Sequence, residues 1–238
     1  MTVQHLVLFD IDGTLLHSGG CGRAATRLAI QDVFGTVGAL DEVDFGGKTD
    51  WQILREALGS VGVSSETIAA RIPLYQHVVA RRLAEIIADF PVRPCLGAPQ
   101  LVAALAERAD VLLGLVTGNM QPLVPIKLRA AGYDPRLFKI GAYGSEGWER
   151  DMLPPLALQR AREYAGVDFP PQRVVIVGDT PRDIACATSI GARTVAVATG
   201  WYDVPTLQAE RPTHVFATLE DTARVLRAIL NDNHNFHR

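Results

Sequence analysis

The chain has 238 residues, 48% of them apolar, and a formal net charge of −3. This length and apolar content suit one large or two small globular domains with a substantial core, and they argue against disorder. The near-balanced charge, the lack of any apolar run long enough to span a membrane, and three scattered cysteines argue against a nucleic-acid partner, a membrane span and a disulfide or zinc framework.

The first predicted element is the strand HLVLFD (5–10), which runs into Asp10-Ile11-Asp12-Gly13-Thr14. Residues 18–91 then show helical patterning only, over 22–34, 50–58 and 65–88. The turn-rich segments HSGG (17–20) and PVRPCLG (91–97) bound this block, which reads as a helical insertion on two hinges between 1–17 and 92–238. Beyond it, strands and helices alternate: helix 98–110, strand 111–118, helix 122–132, strand 137–144, helix 153–166, strand 173–179, helix 180–191, strands 193–200 and 213–217, and helix 219–231. Gly132, Gly166 and Gly191 stand at expected helix C-caps. Several strands are apolar throughout, which is expected where both faces are covered. The alternation predicts an α/β fold with a doubly wound parallel sheet and right-handed crossovers. The polar tail carries His234 and His237, read as a frayed end rather than metal ligands.

In such a sheet, ligands bind beyond the C-terminal ends of the strands. The first strand delivers Asp10 and Asp12 there, the second Thr117-Gly118-Asn119, and the fourth Asp179 and Asp183; Arg150 follows the third. Carboxylates gathered at one rim repel unless they take up protons or share a cation. Mg²⁺ prefers oxygen ligands and keeps room for a phosphate. Thr117 and the backbone N–H groups of Gly118 and Asn119 suit phosphate oxygens. Of two carboxylates two residues apart, one can attack phosphorus while the other exchanges a proton. Gly13 permits a sharp turn behind them. Taken singly, these segments read as a loop, a turn and a helix start capped by Asp179 or Thr180; their joint order at strand ends points to chemistry.

The segments DIDGT, Thr117 and GDTPRD, together with the helical block, resemble the haloacid dehalogenase superfamily, in its phosphatase branch near the phosphoglycolate phosphatases. The resemblance implies a Rossmann-like core with a helical cap inserted after the first strand. It implies that Asp10 is the nucleophile forming an aspartyl-phosphate, Asp12 the general acid/base, and Thr117 a phosphoryl ligand. It implies Mg²⁺ held by the Asp10 carboxylate, the Asp12 carbonyl and Asp179, with Asp183 ordering the metal shell and the basic residue. Gly13, Thr14, Gly118, Asn119 and the cap residues Lys48 and Thr49 are the expected substrate and phosphate contacts. GGKTD (46–50) reads equally as a plain helix start capped by Thr49 or Asp50.

The third motif departs from the family pattern, which usually has Lys. Here Arg150 precedes DMLPPLAL, and Lys139 falls within the predicted third strand, away from the rim. Only 3 of the 23 basic residues are Lys, so Arg150 is expected to carry the charge balance. Arg23 and Arg27, one helical turn apart, face either solvent or an anionic substrate. The expected function is Mg²⁺-dependent hydrolysis of a small phosphorylated metabolite, phosphoglycolate-like substrates included. Alternatives are a phosphoglucomutase-like phosphotransfer, phosphonate hydrolysis with Lys48 as the one cap lysine for a Schiff base, and a non-enzymatic binding protein on the same fold. A monomer or homodimer in the cytoplasm, free of nucleic acid and membrane, completes the expectation.

Overall fold

The computed structural model describes residues 3–230; His234 and His237 lie outside them. Six parallel strands form the main sheet: β1 (His5–Phe9), β4 (Val111–Thr117), β5 (Ile140–Tyr143), β6 (Val174–Gly178), β7 (Arg193–Val197) and β8 (His214–Phe216). Their order is β5-β4-β1-β6-β7-β8, so the first strand lies in the middle and the chain winds outward to both edges. Register is parallel throughout, with Leu8 opposite Gly114 on one side and Ile176 on the other.

Alternate residues of each strand feed different cores. Val7, Phe9, Leu113, Leu115, Val175 and Val177 pack against α4 (Ala98–Ala106), α5 (Val124–Ala130) and α9 (Thr222–Leu230). Leu6, Leu8, Leu112, Val116, Val174 and Ile176 pack against α6 (Leu153–Ala165) and α7 (Pro181–Ala187). Both faces are therefore dry, which is why the strands read as unbroken apolar runs.

Between β1 and β4 the chain makes a helical cap of α1 (Cys21–Phe34), α2 (Asp50–Gly59) and α3 (Ser65–Ile86). The cap has its own apolar cluster around the fully buried Tyr75, to which the main domain adds Met120 and Leu123. Two elements escaped the sequence reading. A two-residue antiparallel ribbon, β2 (Leu16–His17) with β3 (Arg93–Pro94), joins the two chain crossings into the cap. A short helix α8 (Val204–Ala209) is capped by Asp203, whose side chain accepts from Thr206 N. The strand predicted over 137–144 begins only at Ile140, because 135–137 form a 3₁₀ turn capped by Asp134. No helix among the described residues is long and apolar enough to cross a membrane.

Candidate active site

Strand β1 aims its successor into the site. Asp10 N donates to Val177 O of β6 at 2.9 Å, so Asp10 remains on the sheet ladder although the strand has ended. The chain then doubles back: Leu15 N and Leu16 N both donate to Ile11 O, and Gly13 N donates to Leu16 O. Gly13 takes φ +87°, and a Cβ there would lie 2.2 Å from Asp179 Oδ2. A Cβ on Gly200 would lie 1.8 Å from the same atom. Two glycines thus leave the space that Asp179 occupies. Thr14, expected to bind phosphate, instead donates its hydroxyl to Asp179 Oδ1 at 2.9 Å and is fully buried; it fixes a carboxylate.

Asp10, Asp179 and Asp183 each offer an oxygen within 4.8 Å of the others. Burial raises the Asp10 carboxyl to about 6, with Arg150 working against this and Asp183 adding to it. Burial also pushes Asp179 well above the usual carboxylate range, aided by the charges of Asp183 and Asp10. Such a set is held apart from water, has one guanidinium for three carboxylates, and its metal donors are all oxygen. It fits a hard divalent cation, with Asp10 and Asp179 the carboxylates free to hold it. Asp183 is differently employed. Its Oδ2 accepts from Thr180 N (3.0 Å) and Thr180 Oγ1 (2.7 Å), and its Oδ1 accepts from Arg150. Asp183, expected to order the metal shell and the basic residue, is thus bonded to the turn and to the cation beside it.

Arg150 reaches this cluster from the turn before α6. It is 4% exposed; its Nη2 donates to Asp10 Oδ1 at 2.8 Å and to Asp183, and its Nη1 donates to Gly47 O of the cap at 3.2 Å. Lys139 sits one residue before β5 at the opposite end of that strand, donating to Arg136 O.

Asp12 lies in a second group. Its Oδ2 accepts from Lys127 Nζ at 2.6 Å and from Asn119 Nδ2 at 2.8 Å. Burial opposes its charge, but the Lys127 ammonium and these hydrogen bonds outweigh burial and hold the carboxyl below its ordinary value. Its carboxylate is thus no partner of the Asp10–Asp179 pair. Lys127 was missed by the sequence reading. Asn119 N, expected to be free for phosphate, donates to Thr117 Oγ1 at 3.3 Å, and Asn119 Nδ2 donates to the same oxygen at 2.8 Å. Thr117 is fully buried at the end of β4.

The cap closes over both groups. Thr49 is the N-cap of α2, with a reciprocal capping box to Gln52, and its hydroxyl donates to Trp148 O at 3.0 Å. Fully buried and so committed, Thr49 is structural, which corrects its expected phosphate role; such a cap contributes about 1 kcal/mol. Lys48 does line the cavity, paired with Glu56 at 2.5 Å. Asp50 N donates to Gly118 O at 2.8 Å, Met120 N donates to Asp50 Oδ2 at 2.7 Å, and Arg182 donates to Gly46 O at 2.6 Å. Gly118 touches the cap so closely that a Cβ would lie 2.0 Å from Lys48 O. Trp51 of α2 stacks on Trp148, ring centroids 5.1 Å apart. Arg23 donates to Leu40 O and Val43 O beside the cavity, and Arg27 pairs with exposed Asp41. What remains between cap and sheet is a cavity of about 930 Å³ whose lining includes Asp10, Asp12, Thr117, Arg150, Asp179 and Lys48.

Over residues 153–222 the chain matches the family described as HAD-hydrolase-like. It is 27% identical to a phosphoglycolate phosphatase of Synechococcus elongatus, across 94% of this chain and 98% of that one. It is 27% identical to the N-acetylmuramic acid 6-phosphate phosphatase of Pseudomonas aeruginosa, across 82% of each. Among solved structures, one described as a predicted phosphoglycolate phosphatase from Haemophilus somnus superposes with a TM-score of 0.63 at 22% identity, covering 95% of this chain and 99% of that one.

Proposed function

We propose that this chain is a haloacid-dehalogenase-like phosphatase that hydrolyses the phosphate monoester of a small metabolite with Mg²⁺ as cofactor, a reading supported by the family match and the curated relatives. The observation that carries the reading is the buried group of Asp10, Asp179 and Asp183, with Arg150 bridging Asp10 and Asp183, beside the cavity between cap and sheet. The relatives' names support a phosphorylated small acid or sugar as the substrate, phosphoglycolate among them.

Asp10 attacks phosphorus. Arg150 keeps its carboxylate oriented and offsets the charge that the phosphate brings. The P–O ester bond breaks, and the leaving oxygen takes a proton from Asp12. Asp12 is ionised in the resting site; the negative charge of an incoming phosphate favours its taking up a proton from solvent as substrate binds, and it loses that proton to solvent again when phosphate leaves. Water then attacks the aspartyl-phosphate, giving its proton back to Asp12, and Asp10 is regenerated. Bound Mg²⁺ would supply charge neutralisation between the carboxylates and the phosphate oxygens. The cap excludes bulk water, which strengthens every charge interaction within.

The test is release of p-nitrophenol from p-nitrophenyl phosphate with and without Mg²⁺, followed by a panel of phosphorylated acids and sugars. No turnover of any ester in Mg²⁺ would overturn the reading.

A further inference from the structure

Lys127 is 3% exposed on α5, and its ammonium has two partners: Asp12 Oδ2 at 2.6 Å and Asn119 Oδ1 at 2.6 Å. Asn119 closes the triangle with its own 2.8 Å bond to Asp12 Oδ2 and ties it to Thr117 Oγ1. The Lys127 and Asn119 bonds to the Asp12 carboxylate thus fall on one oxygen, while Oδ1 is enclosed without a bond to either of them, and the Ser18 side chain also favours the carboxylate's charge. The cap completes the enclosure. Gly22 of α1 lies against the ammonium, and a Cβ there would be 3.1 Å from Nζ.

Burying an ammonium is costly, and pairing recovers that cost only where geometry is good. α5 already buries Val124 and Leu128 against the sheet, so packing alone does not call for a charge at 127. The chain uses Arg for 20 of its 23 basic residues, yet this slot holds Lys. A compact ammonium fits beneath Gly22, where a guanidinium fork would need more room. Arg150 serves the nucleophile, and Lys127 serves the other carboxylate.

We propose that Lys127 is a positioning residue for proton transfer by Asp12: with Asn119 it pins Oδ2, fixes the plane of the carboxylate, and leaves the other oxygen for the proton. This rests on the phosphatase reading. A carboxylate that must meet a leaving oxygen needs a fixed direction, and a freely rotating one loses most of that advantage. Lys127 keeps its own proton throughout. The transferred proton passes from Asp12 to the ester oxygen as the P–O bond breaks, and from water to Asp12 in the second half.

The experiment compares two leaving groups. p-Nitrophenolate departs with little help from an acid, whereas an alkoxide needs the proton. In the full chain with Mg²⁺, kcat/KM is measured for p-nitrophenyl phosphate and for the alkyl phosphate that the wild type turns over fastest. This parameter ends at departure of the alcohol and so excludes the later hydrolysis. Lys127→Gln is expected to lower kcat/KM about 100-fold for the alkyl ester and less than about fivefold for the aryl ester, within the range of general acid catalysis. Added to Asp12→Asn, it should cost nothing further, because the two act as one unit. Equal losses on both esters, or full additivity with Asp12→Asn, would overturn the proposal. If Lys127→Gln does not fold, Asn119→Ala decides: an alkyl-selective loss supports the proposal, and an equal loss overturns it. A wild type that turns over neither ester overturns the phosphatase reading itself, which separates that failure from this one.

Discussion

The sheet and the cap meet at one cavity with different chemistry. The sheet side presents charged side chains at strand ends: Asp10 and Asp179, with Arg150 and Asp183 behind them, all 5% exposed or less. The cap side contributes mostly main chain to the contact: the carbonyls of Gly46 and Gly47, the N–H of Asp50, and the peptide at Lys48. Charges buried at the ends of rigid strands keep their geometry and depend on one another. Single hydrogen bonds to backbone, two of them here from guanidinium groups, are worth about 1–3 kcal/mol each and can break and reform. The difference suits a fixed reaction centre beneath a cover that must admit substrate.

The comparison breaks most completely at the nucleophile. Asp10→Asn keeps the shape and the fold but removes the anion that attacks phosphorus. Turnover of p-nitrophenyl phosphate is expected to fall more than about 10³-fold, at least ~4 kcal/mol, while the melting transition stays cooperative. A variant retaining a tenth of the activity would place the nucleophile elsewhere.

Removing the cation tests the same side of the cavity. Dialysis against EDTA should abolish activity and Mg²⁺ restore it, while Asp179→Ala should raise the Mg²⁺ concentration needed for half-maximal rate. The expectation follows from three carboxylates packed within 4.8 Å with one guanidinium between them. Full activity in EDTA would refute it.

Arg150 belongs to both sides, since its two Nη atoms bond sheet carboxylates and a cap carbonyl. Arg150→Ala should cost about 2–4 kcal/mol in kcat/KM, as for loss of one preorganised charge contact. Arg150→Lys should recover part of this, restoring charge but not the fork. Lys139→Ala, at the far end of β5, should leave kinetics unchanged; a dead Lys139→Ala with an active Arg150→Ala would reverse the assignment.

How much of this was legible followed the range of each interaction. Strand ends announce themselves locally, so Asp10, Thr117 and Asp179 could be read from apolar runs that stop at polar residues. Arg150 could be placed by its order along the chain. Lys127 could not: on α5 it reads as an ordinary helix-surface lysine, and its partner Asp12 lies 115 residues away. The one available signal was its rarity in a chain that otherwise uses Arg. Thr14 was misread for the same reason, its hydroxyl going to Asp179, 165 residues on. The β2–β3 ribbon left no pattern, because two residues are too few to show alternation. Thr49 was readable as a cap from its spacing to Gln52, and that local reading outlasted the functional one.

The smallest expected effect lies on the cap side, in Asp50. It joins no ion pair among the described residues, unlike the paired carboxylates of the sheet. Burial raises its carboxyl from 3.8 to about 6; the Met120 N–H bond and Lys127 work against this, and Asp12 adds to it. Between roughly pH 4 and 6 the folded protein therefore holds a proton that the unfolded chain has released. By linkage, this group's contribution to stability is full below the unfolded value and is lost as pH rises through the folded one. Asp50→Asn abolishes that loss and keeps an oxygen to accept from Met120 N. The variant should match the wild type near pH 4 and be more stable near pH 7 by on the order of 2 kcal/mol, a rise of several degrees in Tm for a chain of this size. The raised carboxyls of Asp10 and Asp179 are common to both proteins and cancel in the difference. Thermal melts of the two proteins from pH 4 to 7, without metal, read it directly. A Tm difference that stays constant across that range would mean that Asp50 enters the folded cap already ionised, and that the cap tolerates buried charge as the sheet does.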